Sequence, residues 1–375
     1  MQIVVNTRLL LRNRLEGIGW FASQTLSRIT RNNPNTHFVF LFDRSYDEEF
    51  IFSDNVTPMV LAPQARHPFL YYAWFQFSVK GLLNRMKPDL FLSPDGFLSL
   101  GARCPQLPVI HDINFVKHSK DLKWLTARYY NYYFPKFAAE ATRIATVSEF
   151  SKEAISSHYH IAASKIDVVY NGINSFFKPL DAATQQQTRQ KFSDGKEYFV
   201  YVGSLHPRKN IPTLVKAFAL FKKESGSAHK LLLAGPAFWG LTDIHKVIDD
   251  SGLRDEIIFT GRLGDDDLAL VLGSATALTF IPYYEGFGIP LIEAMQAGIP
   301  IITSNVTSLP EVAGNAALLV NPFDMSEIKD AMLRLTRDEA LRKALIEKGH
   351  IQKQNFSWDK SAGLLWNSML KAMDV

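Results

Sequence analysis

The chain has 375 residues, 47% of them hydrophobic and 21% charged, enough for two compact domains and too apolar for a disordered chain. Its formal charge of +4 suits anionic ligands or an acidic lipid surface, and no concentrated basic arm marks a nucleic-acid binder. The single cysteine, Cys104, excludes an internal disulfide and fits a reducing cytoplasm.

Residues 1–6 read as a short strand and not as a signal-type apolar run. The apolar stretch 231–241 is broken by Gly and Pro, short of the ~20 residues that a membrane-spanning helix needs. A helical pattern over 20–32 and an apolar run over 38–42 follow the first strand. Further strand candidates are 90–92, 108–110, 143–147 and 166–170, alternating with amphipathic stretches as in parallel βα units. Ser148 is placed to cap a helix through Lys152 to His158, and Asn171-Gly172 supplies a turn. This gives a first domain over 1–178. The polar stretch 179–196, with three consecutive glutamines, reads as a linker. A second βα series over 197–355 has strands at 198–202, 231–233, 257–259, 277–280 and 300–302. A final helical stretch, 356–375, is expected to pack back on the first domain.

Chemistry concentrates where strands end. Glu285-Gly286-Phe287-Gly288-Ile289-Pro290-Leu291-Ile292-Glu293 reads as a glycine loop opening a helix, with Pro290 in the first turn and Gly298 past the end. Glycines let the backbone approach a ligand, and a helix start presents N–H groups to phosphate. Glu285 and Glu293, the latter expected in the opening turn, can each accept bonds from sugar hydroxyls. The alternative is an acidic helix start favoured by the dipole alone. Val202-Gly203-Ser204-Leu205-His206-Pro207-Arg208-Lys209-Asn210 is a second strand-end loop. Its Arg208 and Lys209 suit a diphosphate and the charge on a departing nucleotide, with a solvated basic turn as the alternative. In the first half, Gly17 and Gly19 open a helix after the first strand, without the third glycine of a dinucleotide fingerprint. His111-Asp112 sits at a strand's carboxyl end, where such sheets bind ligands, with a purely structural histidine as the alternative. Asp265-Asp266-Asp267 after Gly264 reads as helix-capping acid and not as a metal motif, so no metal is expected.

In order and spacing these pieces resemble family 4 of the retaining glycosyltransferases over nearly the whole chain. Glu285 and Glu293 match that family's Glu-x7-Glu motif, residues 17–19 its first glycine loop, His111-Asp112 its acceptor-side histidine segment, and Lys209 its phosphate lysine. Thr146-Val147-Ser148 and Asn171-Gly172-Ile173 are similar to its hinge-proximal loops, and Gly261-Arg262-Leu263 to its nucleobase loop. The resemblance implies an α/β protein of the GT-B fold, two Rossmann-like lobes with parallel sheets facing an inter-domain cleft. It also implies transfer with retained anomeric configuration, with the donor held mainly by the second lobe and the acceptor by the first. Many relatives carry Arg directly after the second-lobe glycine. Here Ser204 stands there and Arg208 supplies the charge, a version similar to some bacterial mannosyltransferases. GDP-mannose is therefore the first-ranked donor and a UDP-sugar the second.

Residues 111–143 interleave Lys117, Lys120, Lys123, Arg128, Lys136 and Arg143 with Tyr129, Tyr130, Tyr132, Tyr133 and Phe134. Such a face suits anionic headgroups, or else the aromatics fill the core beneath solvated cations. The expected partners are a nucleotide sugar and a glycan or lipid-linked glycan, joined by the inner face of a membrane under the first of these two readings. Other functions on the same scaffold are a sugar-nucleotide epimerase or hydrolase, and a non-catalytic sugar-nucleotide binder.

Overall fold

The alternating apolar runs and helices resolve into two parallel sheets, each carried by its own unit. The computed structural model describes residues 1–237 and 241–374, with backbone only for Leu241. Residues 238–240 of the 231–241 stretch and Val375 of the final one lie outside the described residues.

The first unit comprises Met1–Gly172 and Ser357–Val375. Its main sheet holds β1 (Gln2–Asn6), β2 (His37–Phe42), β3 (Val56–Val60), β4 (Leu90–Ser93) and β5 (Gln106–Pro108), in the order β3-β2-β1-β4-β5. β6 (Ile144–Thr146) and β7 (Ile166–Val168) form a separate parallel pair, joined by a bridge from Val109 to Ala145. The strand expected over 108–110 therefore sits two residues earlier. Phe75, Phe91, Phe97, Phe134 and Phe137 fill the core of this unit.

The second unit, Ile173–Phe356, carries β8 (Tyr198–Val202), β9 (Lys230–Ala234), β10 (Ile257–Gly261), β11 (Ala277–Phe280), β12 (Ile301–Ser304) and β13 (Leu318–Val320). Their order is β10-β9-β8-β11-β12-β13. All five residues of β8 and all four of β11 are buried, as in a parallel sheet covered on both faces. In each sheet the chain winds one way from the first strand and then the other. The carboxyl ends of β1/β4 and of β8/β11 are therefore the positions where such sheets take ligands.

The stretch expected as a linker instead holds a helix, Ala182–Ser193, belonging to the second unit. Asp181 caps it, and it docks through polar side chains: Gln185 donates to the Gly273 carbonyl at 3.2 Å and Arg189 to that of Ser274 at 3.1 Å. The chain leaves the first unit after Gly172 and re-enters it at Ser357. There the helix Trp358–Ala372 packs on the helix Gly17–Asn32, with Arg28 donating to Asp359 at 2.7 Å. Ser368 donates to Asp167 at 2.7 Å.

Gly172 lies under that returning helix: a methyl group there would meet the Trp358 nitrogen at 2.3 Å and its indole at 2.6 Å. Gly172→Ala is expected to destabilise the first unit by about 3 kcal/mol, as overpacking against backbone does. Denaturant unfolding checks this, and an unchanged midpoint would contradict the contact.

Candidate active site

The loops leaving β8 and β11 flank the switch point of the second sheet, and sequence chemistry shapes both. Gly203 has φ +139° and Gly235, after β9, has φ +151°. A Cβ on Gly235 would lie 1.9 Å from the Gly203 carbonyl oxygen, so two backbones touch where no other residue fits. Tyr201 reaches over this turn, its hydroxyl donating to the Ser204 carbonyl at 2.8 Å. The chain then makes a short 3-10 turn, Pro207–Lys209, and ends it at Asn210 in the left-handed region. Asn210 donates to the carbonyls of Ile281 at 3.3 Å and Pro322 at 2.7 Å, tying the β8 loop to the loops after β11 and β13.

Arg208 and Lys209 meet Glu285 across this joint. Arg208 donates to Glu285 Oε2 at 2.7 Å and to the Tyr284 carbonyl at 3.1 Å. Lys209 Nζ binds the same Oε2 and lies 4.7 Å over the Phe280 ring. Both cations thus converge on one carboxylate oxygen, leaving Oε1 outside the two bonds. Burial pushes the Glu285 carboxyl up, but the two neighbouring cations outweigh it and hold the group down at about 2. Glu285 is therefore a carboxylate throughout the neutral range. Its loop is fixed from below by the buried Ser308, whose hydroxyl donates to the carbonyls of Glu285 at 2.9 Å and Phe287 at 3.0 Å.

Gly288, with φ +103°, turns this loop into the helix Ile289–Ala297. A Cβ there would meet the Leu309 Cδ2 methyl at 2.7 Å, so that side chain would have to shift, and the left-handed φ itself favours glycine. Gly286 is not in the left-handed region. Pro290 is the second helical residue and Gly298 closes the helix, as the sequence indicates. Glu293 is the fifth residue and not in the opening turn, because the helix starts at Ile289. Leu291 and Ile292 are buried with it. Burial, and then the charge of Asp265, push the Glu293 carboxyl up to about 8. Two glutamates of one motif thus stand in opposite protonation states at neutral pH.

Arg262 and Leu263 lead from β10 to the helix Asp265–Gly273. Its N-cap is Gly264, without a side-chain bond, and the three aspartates fill the first turn. They contribute dipole charge and do not cap, correcting the sequence reading. No group of three or more metal-ligating side chains occurs among the described residues.

In the first unit, Gly17 and Gly19 form the first turn of the Gly17–Asn32 helix after β1. Gly19 is held close, its position for a Cβ 3.1 Å from the Leu9 carbonyl oxygen. His111 follows β5, its Nε2 donating to the Pro94 carbonyl at 2.9 Å and its ring edge-on to Phe21 at 5.1 Å. Burial lowers its pKa. The neutral ring, with its proton on Nε2, offers Nδ1 as an acceptor and cannot polarise a group by donation from that atom. Asp112 accepts from the Asn114 amide at 2.9 Å. The Asn171 side-chain oxygen is buried without a hydrogen-bond partner among the described residues. Ser148 caps the helix Glu149–Tyr159 through the Ser151 amide, as expected.

Gly235, Asn210 and Ser308 were not singled out from the sequence. Gly235 carries a readable signal, a Gly-Pro pair directly after the apolar run of β9. Asn210 and Ser308 carry none, since their roles depend on carbonyls 71 and 23 residues away.

Known proteins agree with this architecture. The sequence model "Glycosyltransferase Family 4" matches residues 17–175, and "Glycosyl transferases group 1" matches 183–352. The O-antigen chain mannosyltransferase B of Escherichia coli is 31% identical over 254 residues, 66% of each chain. The serotype-specific mannosyltransferase WbdA of Escherichia coli is 30% identical over 239 residues, 62% of this chain and 29% of that one. The matched parts thus span less than two thirds of these relatives' own lengths. Anabaena HepE, solved with UDP and glucose, superposes with a TM-score of 0.77 at 16% identity, covering 99% of this chain and 100% of that one. No helix among the described residues is long and apolar enough to cross a membrane. With two family models tiling its halves, relatives among bacterial mannosyltransferases, and two parallel-sheet units of the GT-B fold, the chain belongs to the group 1 glycosyltransferases.

Proposed function

We propose that the protein transfers a hexose, mannose in the first instance, from a nucleotide sugar to a glycan or lipid-linked glycan during bacterial surface polysaccharide synthesis. The observation that carries this reading is the convergence of Arg208 and Lys209 on a permanently charged Glu285 at the switch point of the second sheet. The mannosyltransferase relatives favour GDP-mannose. A UDP-sugar is the second candidate, since HepE is solved with UDP.

In this reading the diphosphate binds against Arg208 and Lys209, with the Gly288 turn beside it. The anomeric C–O bond to the diphosphate breaks and the acceptor oxygen bonds the same face of the anomeric carbon. The acceptor proton passes to the leaving diphosphate oxygen, so configuration is retained without a protein nucleophile. The two cations stabilise the charge that develops on that oxygen, which makes the reaction metal-independent. Glu285 keeps the cations together through Oε2 and receives sugar hydroxyls on Oε1. Glu293 serves the ribose diol, and the 261–263 loop the base. His111, through Nδ1, accepts from a sugar hydroxyl, with Asp112 and Asn171 on the acceptor side. Gly17 and Gly19 serve the donor from the first unit.

A membrane-facing surface is part of this proposal. Within the Trp124–Glu140 helix, Tyr129, Phe134 and Phe137 are buried, whereas Trp124 is 71% and Tyr132 57% exposed. Phe69 and Phe77 are also largely exposed, and Tyr72 contacts both Phe77 at 5.6 Å and Tyr133 at 5.9 Å. Lys136 lies 3.6 Å over the Tyr132 ring and Arg128 5.4 Å from that of Trp124. Exposed rings paired with cations suit the headgroup layer of an anionic bilayer.

Glu285→Ala and Lys209→Ala should each lower kcat about a hundredfold or more with the fold retained by circular dichroism, Glu285→Ala melting earlier because it leaves two adjacent cations unpaired, in an assay that keeps its rate in excess chelator. Unchanged turnover in both variants would discard the assignment, and magnesium-dependent rescue would discard metal independence. The Glu293 carboxyl has a folded pKa of about 8 against an unfolded value near 4.5, so its stabilising contribution is complete below pH 4.5 and lost as pH rises through 8. Glu293→Gln should abolish a pH-dependent loss of about 4 kcal/mol between pH 5 and pH 9, read by denaturant unfolding at those two pH values. An equal pH dependence in both proteins would refute it. The protein should float with phosphatidylglycerol vesicles and not with phosphatidylcholine alone, and Phe69→Ser with Phe77→Ser should abolish this. Equal recovery with both lipids would remove the membrane reading.

A further inference from the structure

A second aromatic feature sits in the unit that carries Arg208, Lys209 and Glu285. Phe323 is 70% exposed and stacks on Tyr283, ring centroids 6.2 Å apart and planes 19° from parallel. Lone exposed apolar residues are ordinary on protein surfaces. This one is presented on a fixed turn. The Asn321 amide donates to Glu327 at 2.7 Å, the Phe323 amide to the Asn321 side chain at 3.0 Å, and the Asp324 amide to the Asn321 carbonyl at 3.0 Å. Asp324 then caps the helix Met325–Arg337 through the Ser326 and Glu327 amides.

The same turn is bolted to the phosphate loop. Pro322 accepts from Asn210, one residue past Lys209, and the Tyr283 amide donates to the Arg208 carbonyl at 3.0 Å. The stacked pair is therefore held in register with the cations, Tyr283 being two residues before Glu285 in the chain. No core is served by leaving a phenyl ring in water on so rigid a mount. A flat apolar face on the loop that leads to Glu285 matches the chemistry of a pyranose, whose C–H face packs on an aromatic ring while its rim of hydroxyls meets polar groups.

We infer that the Phe323–Tyr283 pair is a stacking platform for a pyranose of the glycan acceptor. This rests on the proposed glycosyl transfer and adds an acceptor contact from the unit that holds the donor cations.

The test is steady-state kinetics of Phe323→Ala and Phe323→Trp with donor and acceptor varied separately, supported by saturation-transfer NMR. The NMR probes are methyl glycosides of mannose, glucose and galactose with the full chain. Phe323→Ala should raise the acceptor KM about tenfold and leave the donor KM within twofold, with Phe323→Trp restoring the acceptor value. The NMR should show saturation of at least one glycoside by the wild type that Phe323→Ala removes. Unchanged acceptor KM overturns the platform while leaving transfer in place. A rise confined to the donor KM assigns the ring to the transferred hexose and overturns the acceptor role. If the wild type transfers nothing, the proposed function fails, and the NMR alone decides the platform, absence of saturation overturning it.

Discussion

Two cations sharing one carboxylate oxygen is the interaction on which the loops at the carboxyl end of the second sheet depend. Arg208 and Lys209 are adjacent in sequence and would repel each other across an open turn. Glu285, brought in from the loop after β11, offsets that repulsion and holds the pair at the carboxyl ends of the central strands β8 and β11. Everything nearby serves this meeting. The Gly203–Gly235 contact sets the path of the first loop, Asn210 binds it to its neighbours, and Ser308 supports the second loop from beneath. A buried ion cluster of this kind is a poor source of stability, since desolvation offsets the attraction, but a good source of geometry, since without Glu285 two adjacent cations would stand unpaired.

The same helix start shows how one residue type is made to behave as two. Glu285 and Glu293 are both deeply placed, and burial favours the neutral form of each. The difference lies in company. Glu285 has two cations at bonding distance, whereas Glu293 has apolar neighbours and the distant charge of Asp265. A charged acid that organises cations and a neutral acid that can donate a hydrogen bond thus arise without any change in side-chain chemistry.

The strands that carry the site were legible because they are buried on both faces and so read as unbroken apolar runs, as in β8, β9 and β11. β3 and β13 were not, being edge strands: β3 contains Pro58, β13 has only three residues, and each has a single buried position. The helix Ala182–Ser193 passed for a linker because it buries Thr188 and Ser193 instead of an apolar stripe and docks through amide and guanidinium bonds. In the candidate site, the charged residues were readable from type and position. Their pairing was not, since it links residues 76 and 77 positions apart. The sequence also offered no sign that His111 spends its Nε2 proton on Pro94.

The return of Ser357–Val375 to the first unit has a consequence for the order of assembly during synthesis. The second unit is continuous in sequence, so all its strands have left the ribosome before the helix Trp358–Ala372 is made. The unit begun first is thus finished last. Until then, the helix Gly17–Asn32 lacks its packing partner, and Asp167, already paired with Arg143, lacks the Ser368 and Lys371 bonds it holds in the finished fold. The nascent chain must keep that surface from other apolar surfaces for the time needed to make some 180 residues, roughly ten to forty seconds at bacterial and eukaryotic rates.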